Sequence, residues 1–493
     1  MVHSDQCLLL ISNIILEWVS TRGSTNGTFS VGWVRDVEAR RDVYPRVAWS
    51  ISLLALIGAA GLFSAVKLRP ISGEEIYVGS ETCKPCHGKL HADWSESQHT
   101  RMMRRIDEPG VVIADFSADD VGLQFDENEI EWIIGGKWEQ QFMGLEDQRE
   151  TLLPGVWLAS AERWDFKGWD GWQVPDPVTR CHGCHTVGFN AESGEFVEPN
   201  IGCESCHGPG EWHVRTLGVG RIYASDDAQV CGQCHARGES SSGEFFFPVG
   251  YRPGQELDES FVYSEPSANQ NSSFWYGNGH ERRRHQEYLA WRGGGHAKSL
   301  EHLLEGYDGR YGSATDECLA CHSGEYILAP SRNKPSLADV RSGVTCSVCH
   351  NVHGGLNEIR TTCDRCHDGG ASYHQPSLNA SHVPCPEEAN VSCVSCHMPQ
   401  TIQIGGAYKF HDHSSGVVPP ADTLKWGTPS SCSQSECHAQ LPTEILQNMF
   451  ESHYLEPKRE TDLRPLETID GEGLGDVLQS SVIHSSMLME RLQ

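Results

Sequence analysis

Residues 203–213 read CESCHGPGEWH. Two cysteines stand three positions apart, a histidine follows the second directly, and a further histidine comes six residues later. Cys-x-x-Cys-His is the attachment signature of c-type haem. Thiols at this spacing reach the two vinyl groups on one porphyrin edge and form thioethers. The next residue then lies beneath the iron, where its imidazole becomes the proximal ligand. His213 follows closely enough to serve a neighbouring iron.

The same unit occurs eight times without variation. The first half carries Cys83/Cys86/His87, Cys181/Cys184/His185, Cys203/Cys206/His207 and Cys231/Cys234/His235. The second half carries Cys318/Cys321/His322, Cys346/Cys349/His350, Cys363/Cys366/His367 and Cys393/Cys396/His397. Zinc ribbons also pair cysteines, but tetrahedral zinc does not demand a histidine at the next position every time. Thioredoxin-like sites use one such pair rather than eight. Structural disulfides gain from closing longer loops.

A ninth stretch, SCSQSECHA at 431–439, has a longer arm: Cys432 stands five positions before Cys437, and His438 follows at once. Both sulfurs still reach the vinyl groups if the extra residues bulge outward, and the histidine keeps the place that the iron imposes. The alternative is a local disulfide with His438 on the surface. We expect nine covalently attached haems c, or eight if Cys432/Cys437 is not a site. Cys7 and Cys385 are left over; Cys385 reads as a packed small residue or a free thiol.

Nine haems between Cys83 and His438 amount to about one per forty residues. A chain divided so finely cannot build an ordinary apolar core, so the porphyrins must supply much of it. The expected fold is mainly α, with short helices, much irregular loop and a haem core. EIEWIIGGKWEQQF (129–142) alternates around Gly135-Gly136 and predicts a small β-hairpin with a two-residue turn.

Histidine on both iron faces would require nine distal ligands, and fifteen histidines remain outside the motifs and beyond residue 66. KLHADWSESQHTRM (89–102) and QEYLAWRGGGHAKSL (286–300) each place a tryptophan five residues before a histidine, which singles out His99 and His296. His213 and His353 follow haem motifs closely. His374, His382, His411, His413 and His453 complete the candidate set, whereas His285 and His302 rank below it and His182 and His484 are not expected to bind iron.

The 493-residue chain has a net charge of −29, which repels phosphate backbones and argues against a nucleic-acid partner. Val47 to Val66 is an uncharged run of twenty residues preceded by Arg40, Arg41 and Arg46. Its length and flanks suit a transmembrane anchor with the remainder exported; a cleaved signal peptide or a buried helix are the alternatives. The expected layout is an N-terminal segment at 1–46, cytoplasmic or a mis-assigned start, and an anchor at 47–66. A four-haem domain at 78–250, a five-haem domain at 270–455 and an acidic tail at 456–493 follow.

YVGSETCKPCH (77–87), RCHGCHTVGFN (180–190), PNIGCESCHGPG (199–210), CGQCHARG (231–238) and CHMP followed by HDHS (396–399, 411–414) resemble the multihaem c-type cytochromes. Within them the similarity is to the tetrahaem electron carriers of ammonia oxidisers and the octahaem hydroxylamine oxidoreductase group, over roughly residues 78–455. The resemblance implies closely stacked haems acting as an electron wire. It also implies His99 and His213 as distal ligands, and one of His411 and His413. Nine motifs exceed the four or eight of those relatives, and no Cys-x-x-Cys-Lys unit of the pentahaem nitrite reductases is present.

The expectation is thus a single-pass cell-membrane protein with its haem domain in the periplasm or on the outer face. It would move respiratory electrons between other redox proteins or a quinone-linked membrane complex, alone or as an oligomer or filament. The alternative is a reductase or oxidase of small nitrogen or sulfur compounds with one open haem; no catalytic residue is singled out.

Overall fold

The computed structural model describes residues 76–117, 123–166, 176–306, 314–354, 363–367, 392–404, 406–434 and 438–454. The run 47–66, His374, His382, Cys437 and the tail at 456–493 lie outside the described residues, as do residues 1–46. The chain divides into two compact units: Met1–Ser377 with Thr401–Ser415, and Leu378–Gln400 with Gly416–Gln493. The first unit holds the first seven Cys-x-x-Cys-His motifs. The second holds the eighth, together with Cys432 and His438.

Helix accounts for 35% of the structure and strand for 15%, and most of the strand lies in one sheet where only a hairpin was expected. Strands β1 (Met103–Arg105), β2 (Ile130–Ile134), β3 (Glu139–Glu146), β4 (Arg149–Leu158) and β5 (Arg163–Asp165) form an antiparallel meander in sequence order. The expected hairpin is its centre, but its connection is four residues (135–138) rather than two. The tight two-residue turn is the next one. Asp147 and Gln148, at φ 50° and 66°, join paired Glu146 and Arg149, the left-handed pair that a type I′ turn requires.

The sheet packs on both faces, and its bulges decide which residues go where. Ile133 and Phe142 point to one side with Val111, Phe125, Trp157 and Trp164. Met103, Met143 and Leu152 point to the other, with Trp132, Ile134, Cys181 and Phe196 beside them. Ile130 shares the face of Ile133 although they are an odd number of residues apart, because the register shifts between Ile130 and Trp132. A second shift between Gln141 and Met143 places Leu153, Pro154 and Gly155 in a bulge of β4. Proline is tolerated there because it leaves no ladder bond unmade. Edge-to-face contacts among Phe116, Phe125 and Trp164 close the aromatic cluster.

Outside the sheet, helices are short because the motifs set their length. Cys203–His207, Gln229–His235, Leu319–His322, Cys346–Cys349 and Cys393–His397 are each one or two turns spanning or abutting a motif. Residues three apart on a helix share a face, so one turn aims both thiols the same way. The longer helix Lys84–Ser95 is kinked at His87, where the backbone leaves helical values (φ −114°, ψ 33°).

One motif residue is also a structural staple. Glu204, inside CESCH, is 1% exposed and accepts hydrogen bonds from the Val78 N–H (2.9 Å), the Gly79 N–H (2.8 Å) and the Gly210 N–H (2.6 Å). It ties the segment before the first motif to the loop after the third. Glu204→Ala would strand three donors, the Gly210 N–H buried and those of Val78 and Gly79 half-buried. At about 1 kcal/mol or more for each, the variant should lose about 3 kcal/mol, read as a lower midpoint in thermal or denaturant unfolding.

Among the described residues no helix is long and apolar enough to cross a membrane. The longest two run twelve residues, about 18 Å at 1.5 Å per residue, well short of a bilayer core of about 30 Å.

Candidate haem sites

The structure brings five motif histidines face to face with five histidines from elsewhere. His87 faces His213 with ring centres 6.2 Å apart, His207 faces His353 at 6.1 Å, and His235 faces His285 at 6.1 Å. His367 faces His296 at 6.1 Å and His350 faces His413 at 6.3 Å. The angle between ring planes varies from 4° to 63° across these pairs, while the separation hardly changes. Stacking would fix both. A shared atom between the rings fixes the distance and leaves rotation about the common axis free. A metal–nitrogen bond of about 2.0 Å, with about 1.1 Å from nitrogen to ring centre on each side, adds to about 6.2 Å. The pairs therefore fit one iron each.

In five histidines the other ring nitrogen is anchored as an axial ligand requires. Nδ1 of His185 meets the Met102 carbonyl (3.1 Å), His207 that of Tyr223 (2.7 Å) and His213 that of Gly220 (2.8 Å). His285 meets the Cys234 carbonyl (3.2 Å) and His322 that of Ser299 (2.9 Å). Each contact assigns Nε2 as the nitrogen that binds iron. Burial pushes His185 down to about 4, so its imidazole is neutral at ordinary pH.

Among the described residues, buried polar atoms with nothing to bond line the same region: Arg237 Nε, Arg104 Nε and both side-chain polar atoms of Gln286. An orphaned guanidinium nitrogen is costly, and the carboxylate edge of a porphyrin is a group that would satisfy it.

Thiols of different motifs also lie side by side. Cys83 contacts Cys203, Cys184 contacts Cys234, Cys231 contacts Cys346 and Cys321 contacts Cys366. Cys206 is close to Cys231, and Cys349 to Cys363. These six links join seven motifs into one network: first, third, fourth, sixth, seventh and fifth in series, with the second branching from the fourth. In the second unit, the turn Ser431–Gln434 carrying Cys432 packs on the eighth motif, where Ser431 Oγ donates to the Cys396 carbonyl (2.8 Å).

Among the described motif cysteines, Cys86, Cys206, Cys349, Cys363 and Cys393 are exposed and the others are half-buried. For Cys86 the reason is local. It lies on the first turn of Lys84–Ser95, where Lys84, Pro85, Gly88, Lys89 and Leu90 are exposed as well. Its geometry still suits attachment, because the Cys86 N–H (3.3 Å) and the His87 N–H (2.9 Å) both donate to the Cys83 carbonyl and close the turn. A thioether needs reach to a vinyl group and not burial.

Of the histidines singled out from sequence, His213, His296, His353 and His413 are brought opposite motif histidines. In HDHS, His413 meets the ring of His350. His99 is not placed opposite a motif histidine among the described residues; burial pushes it down to about 4. His453 lies in the helix Thr443–Tyr454, but its side chain is outside the described set. His285, ranked low from sequence, faces His235. Its neighbourhood had no repeat to mark it, and the only structural sign is its left-handed backbone, φ 66°. Among the described residues no second imidazole faces His185, near which lie Arg237 and Arg284.

Comparison with known proteins agrees with this geometry. The family described as cytochrome c7 and related cytochrome c matches residues 307–368, the span of the fifth to seventh motifs. The family described as cytochrome c554 and c-prime matches residues 169–208, the span of the second and third. No curated protein matches. Among solved structures, the outer cell wall cytochrome OcwA is similar at 28% identity and a TM-score of 0.67, over 76% of this chain and 86% of that one. An undecahaem cytochrome from the S-layer of Carboxydothermus ferrireducens matches at 20% identity and a TM-score of 0.47, over 80% of this chain and 62% of that one. The octahaem sulfite reductase MccA of Wolinella succinogenes matches at 15% identity and a TM-score of 0.34, over 69% and 58%.

The expected location, a single-pass anchor in the cell membrane, is thereby corrected. No described helix can cross a membrane, and the fold is shared with a cytochrome of the outer cell wall. Repeated Cys-x-x-Cys-His motifs, facing imidazoles at one iron's width and two cytochrome families matched within a shared fold lead to one conclusion: the chain is a multihaem c-type cytochrome.

Proposed function

We propose that the chain is an electron conduit that carries nine haems c and works outside the cell, in the wall, as the similarity to OcwA suggests. Haem c supplies the one-electron chemistry when bound. The eighteen motif cysteines, Cys432 and Cys437 included, hold it by thioethers, and the nine following histidines provide proximal ligands. His213, His353, His285, His413 and His296 provide the second ligand at the sites of His87, His207, His235, His350 and His367. His374, His382, His411 and His453 are the remaining candidates for the sites of His322, His397 and His438. The chain's task is then to fix ligands, burial and charge around each iron and to keep the attachment points in series. A respiratory role, with other redox proteins as donor and acceptor, follows from the same reading.

The observation that carries this is the set of five facing imidazole pairs. An iron with nitrogen on both faces has no place for a substrate and exchanges only electrons. Magnetic spectra of the oxidised protein test it. Low-spin signals from at least five haems, unchanged by carbon monoxide, nitrite or hydroxylamine, are the expected result, and their absence would overturn the reading.

A second reading has one observation in its favour. His185 lacks a facing imidazole among the described residues, and Arg237 and Arg284 place positive charge nearby. An open site there would suit reduction or oxidation of a small nitrogen or sulfur anion. A high-spin signal that shifts with nitrite or hydroxylamine and vanishes in Cys181→Ala, Cys184→Ala would support it; no such signal would sink it.

A further inference from the structure

The nitrogens behind the axial imidazoles are not all treated alike. Among the described residues, His185, His207, His213, His285 and His322 meet backbone carbonyls, and His296 meets the Ser415 hydroxyl (3.2 Å). Two lie against carboxylates instead. His235 Nδ1 is hydrogen-bonded to Glu287 Oε2 at 3.3 Å, whereas His413 Nδ1 lies 3.4 Å from Glu281 Oε1 without a hydrogen bond.

Both carboxylates are held in place by the backbone of a facing ligand. Glu287 Oε1 accepts from the His285 N–H (3.1 Å), so this one side chain touches both histidines of the pair. Glu281 Oε1 accepts from the His413 N–H (2.7 Å) and is wholly buried, and that burial pushes its carboxyl up to about 8, so it is not a full charge at neutral pH. Asp412, also fully buried, accepts from the Glu281 N–H (2.7 Å) and brings a negative charge, partnered by His280 (3.2 Å). The two sites adjoin, since Cys231 and Cys346 are in contact. Arg237 is near Glu287 and offsets part of its charge.

Ferric haem carries one more positive charge than ferrous haem. A carboxylate behind the ligating imidazole draws on its N–H, makes the other nitrogen a stronger donor and favours the ferric state. A carbonyl dipole does this weakly. Burial reduces screening, so the full charge counts for more than it would at the surface.

We propose that Glu287 is a positioning residue that holds the haem of Cys231/Cys234 at a lower reduction potential than the sites whose ligands meet backbone carbonyls. This rests on the axial-ligand reading above.

Spectroelectrochemical titration of the whole haem-loaded protein at one pH tests the proposal. Glu287→Gln keeps the shape and removes the charge. It should shift the reduction equilibrium of that haem at least tenfold towards ferrous, which is about 59 mV for one electron. The exposed Glu192→Gln should shift none. Unchanged potentials with intact low-spin signals would overturn the proposal. Missing low-spin signals in the unmodified protein would overturn the ligand reading instead. Should Glu287→Gln fail to fold, Glu287→Asp, which keeps the charge and withdraws it from the imidazole, decides by the same shift.

Discussion

Replacing Cys432 and Cys437 by alanine should remove one haem from the protein and leave eight, read as iron per chain and as a mass loss of one haem. The reason lies with His438 more than with the cysteines. Attachment requires the imidazole to sit directly after the second thiol, and the first thiol has only to reach the porphyrin's other vinyl group. A bulging arm of four residues permits that. The turn Ser431–Gln434 carries Cys432 against the eighth motif, with Ser431 and Gln434 bonded to Cys396 and Gln400, so this stretch is built into its unit. Were Cys432 and Cys437 a local disulfide, the double variant would keep the full haem content of the unmodified chain. Loss of the disulfide would then show only as lower stability, about 2–4 kcal/mol.

The motifs were legible because haem attachment demands fixed spacing on one short helical turn, and the structure returns that turn at nearly every motif. How far each motif is covered was not legible, since the exposure of Cys86 depends on which segments pack beside its helix and not on its spacing. Partner choice was less legible too. His213 and His353 follow motifs, but each faces the histidine of a different motif from the one it follows, which is a tertiary fact. The Trp-x-x-x-x-His repeat selected His296 and His99 alike, yet only His296 meets a motif ring among the described residues. Sequence also understated the sheet. Alternation showed β2 and β3, but β4 has Pro154-Gly155 in its middle, and its bulge hides the periodicity that a strand would otherwise display. The uncharged run at 47–66 pointed to a membrane, whereas the shared fold belongs to a cell-wall cytochrome.

The network of thiol contacts gives the conduit a testable shape. First, third, fourth and sixth motifs are linked through Cys83–Cys203, Cys206–Cys231 and Cys231–Cys346, and their histidines are interleaved in the same order. His213 follows the third motif but faces His87 of the first, and His353 follows the sixth but faces His207 of the third. On the proposed ligand assignment, these two sites take their second ligand from a segment that carries another site. Such segments both hold one iron and complete a neighbour, so neither site can be lost without disturbing the other segment.

His285→Gly should convert one low-spin haem to a high-spin one that binds carbon monoxide, from none to one per chain at this site. Glycine is the informative substitution. His285 has φ 66°, a left-handed backbone costly for a side-chain residue, and Glu287 holds it there by accepting its N–H. Alanine would lose the ligand but keep the strain, whereas glycine adopts this conformation freely and leaves the surrounding backbone in place. Such strain persists only where the surroundings over-determine it, and here it presents the ring to His235 at one iron's width. Added imidazole should restore the low-spin signal by filling the vacated face. His213→Ala should behave likewise at the site of His87, because His213 sits on the helix Glu211–Arg215 with no such strain. Agreement between the two variants separates ligation from backbone effects. If His285→Gly keeps every low-spin signal and binds no carbon monoxide, His285 is a packed histidine, and the constant separation of the five pairs needs another cause.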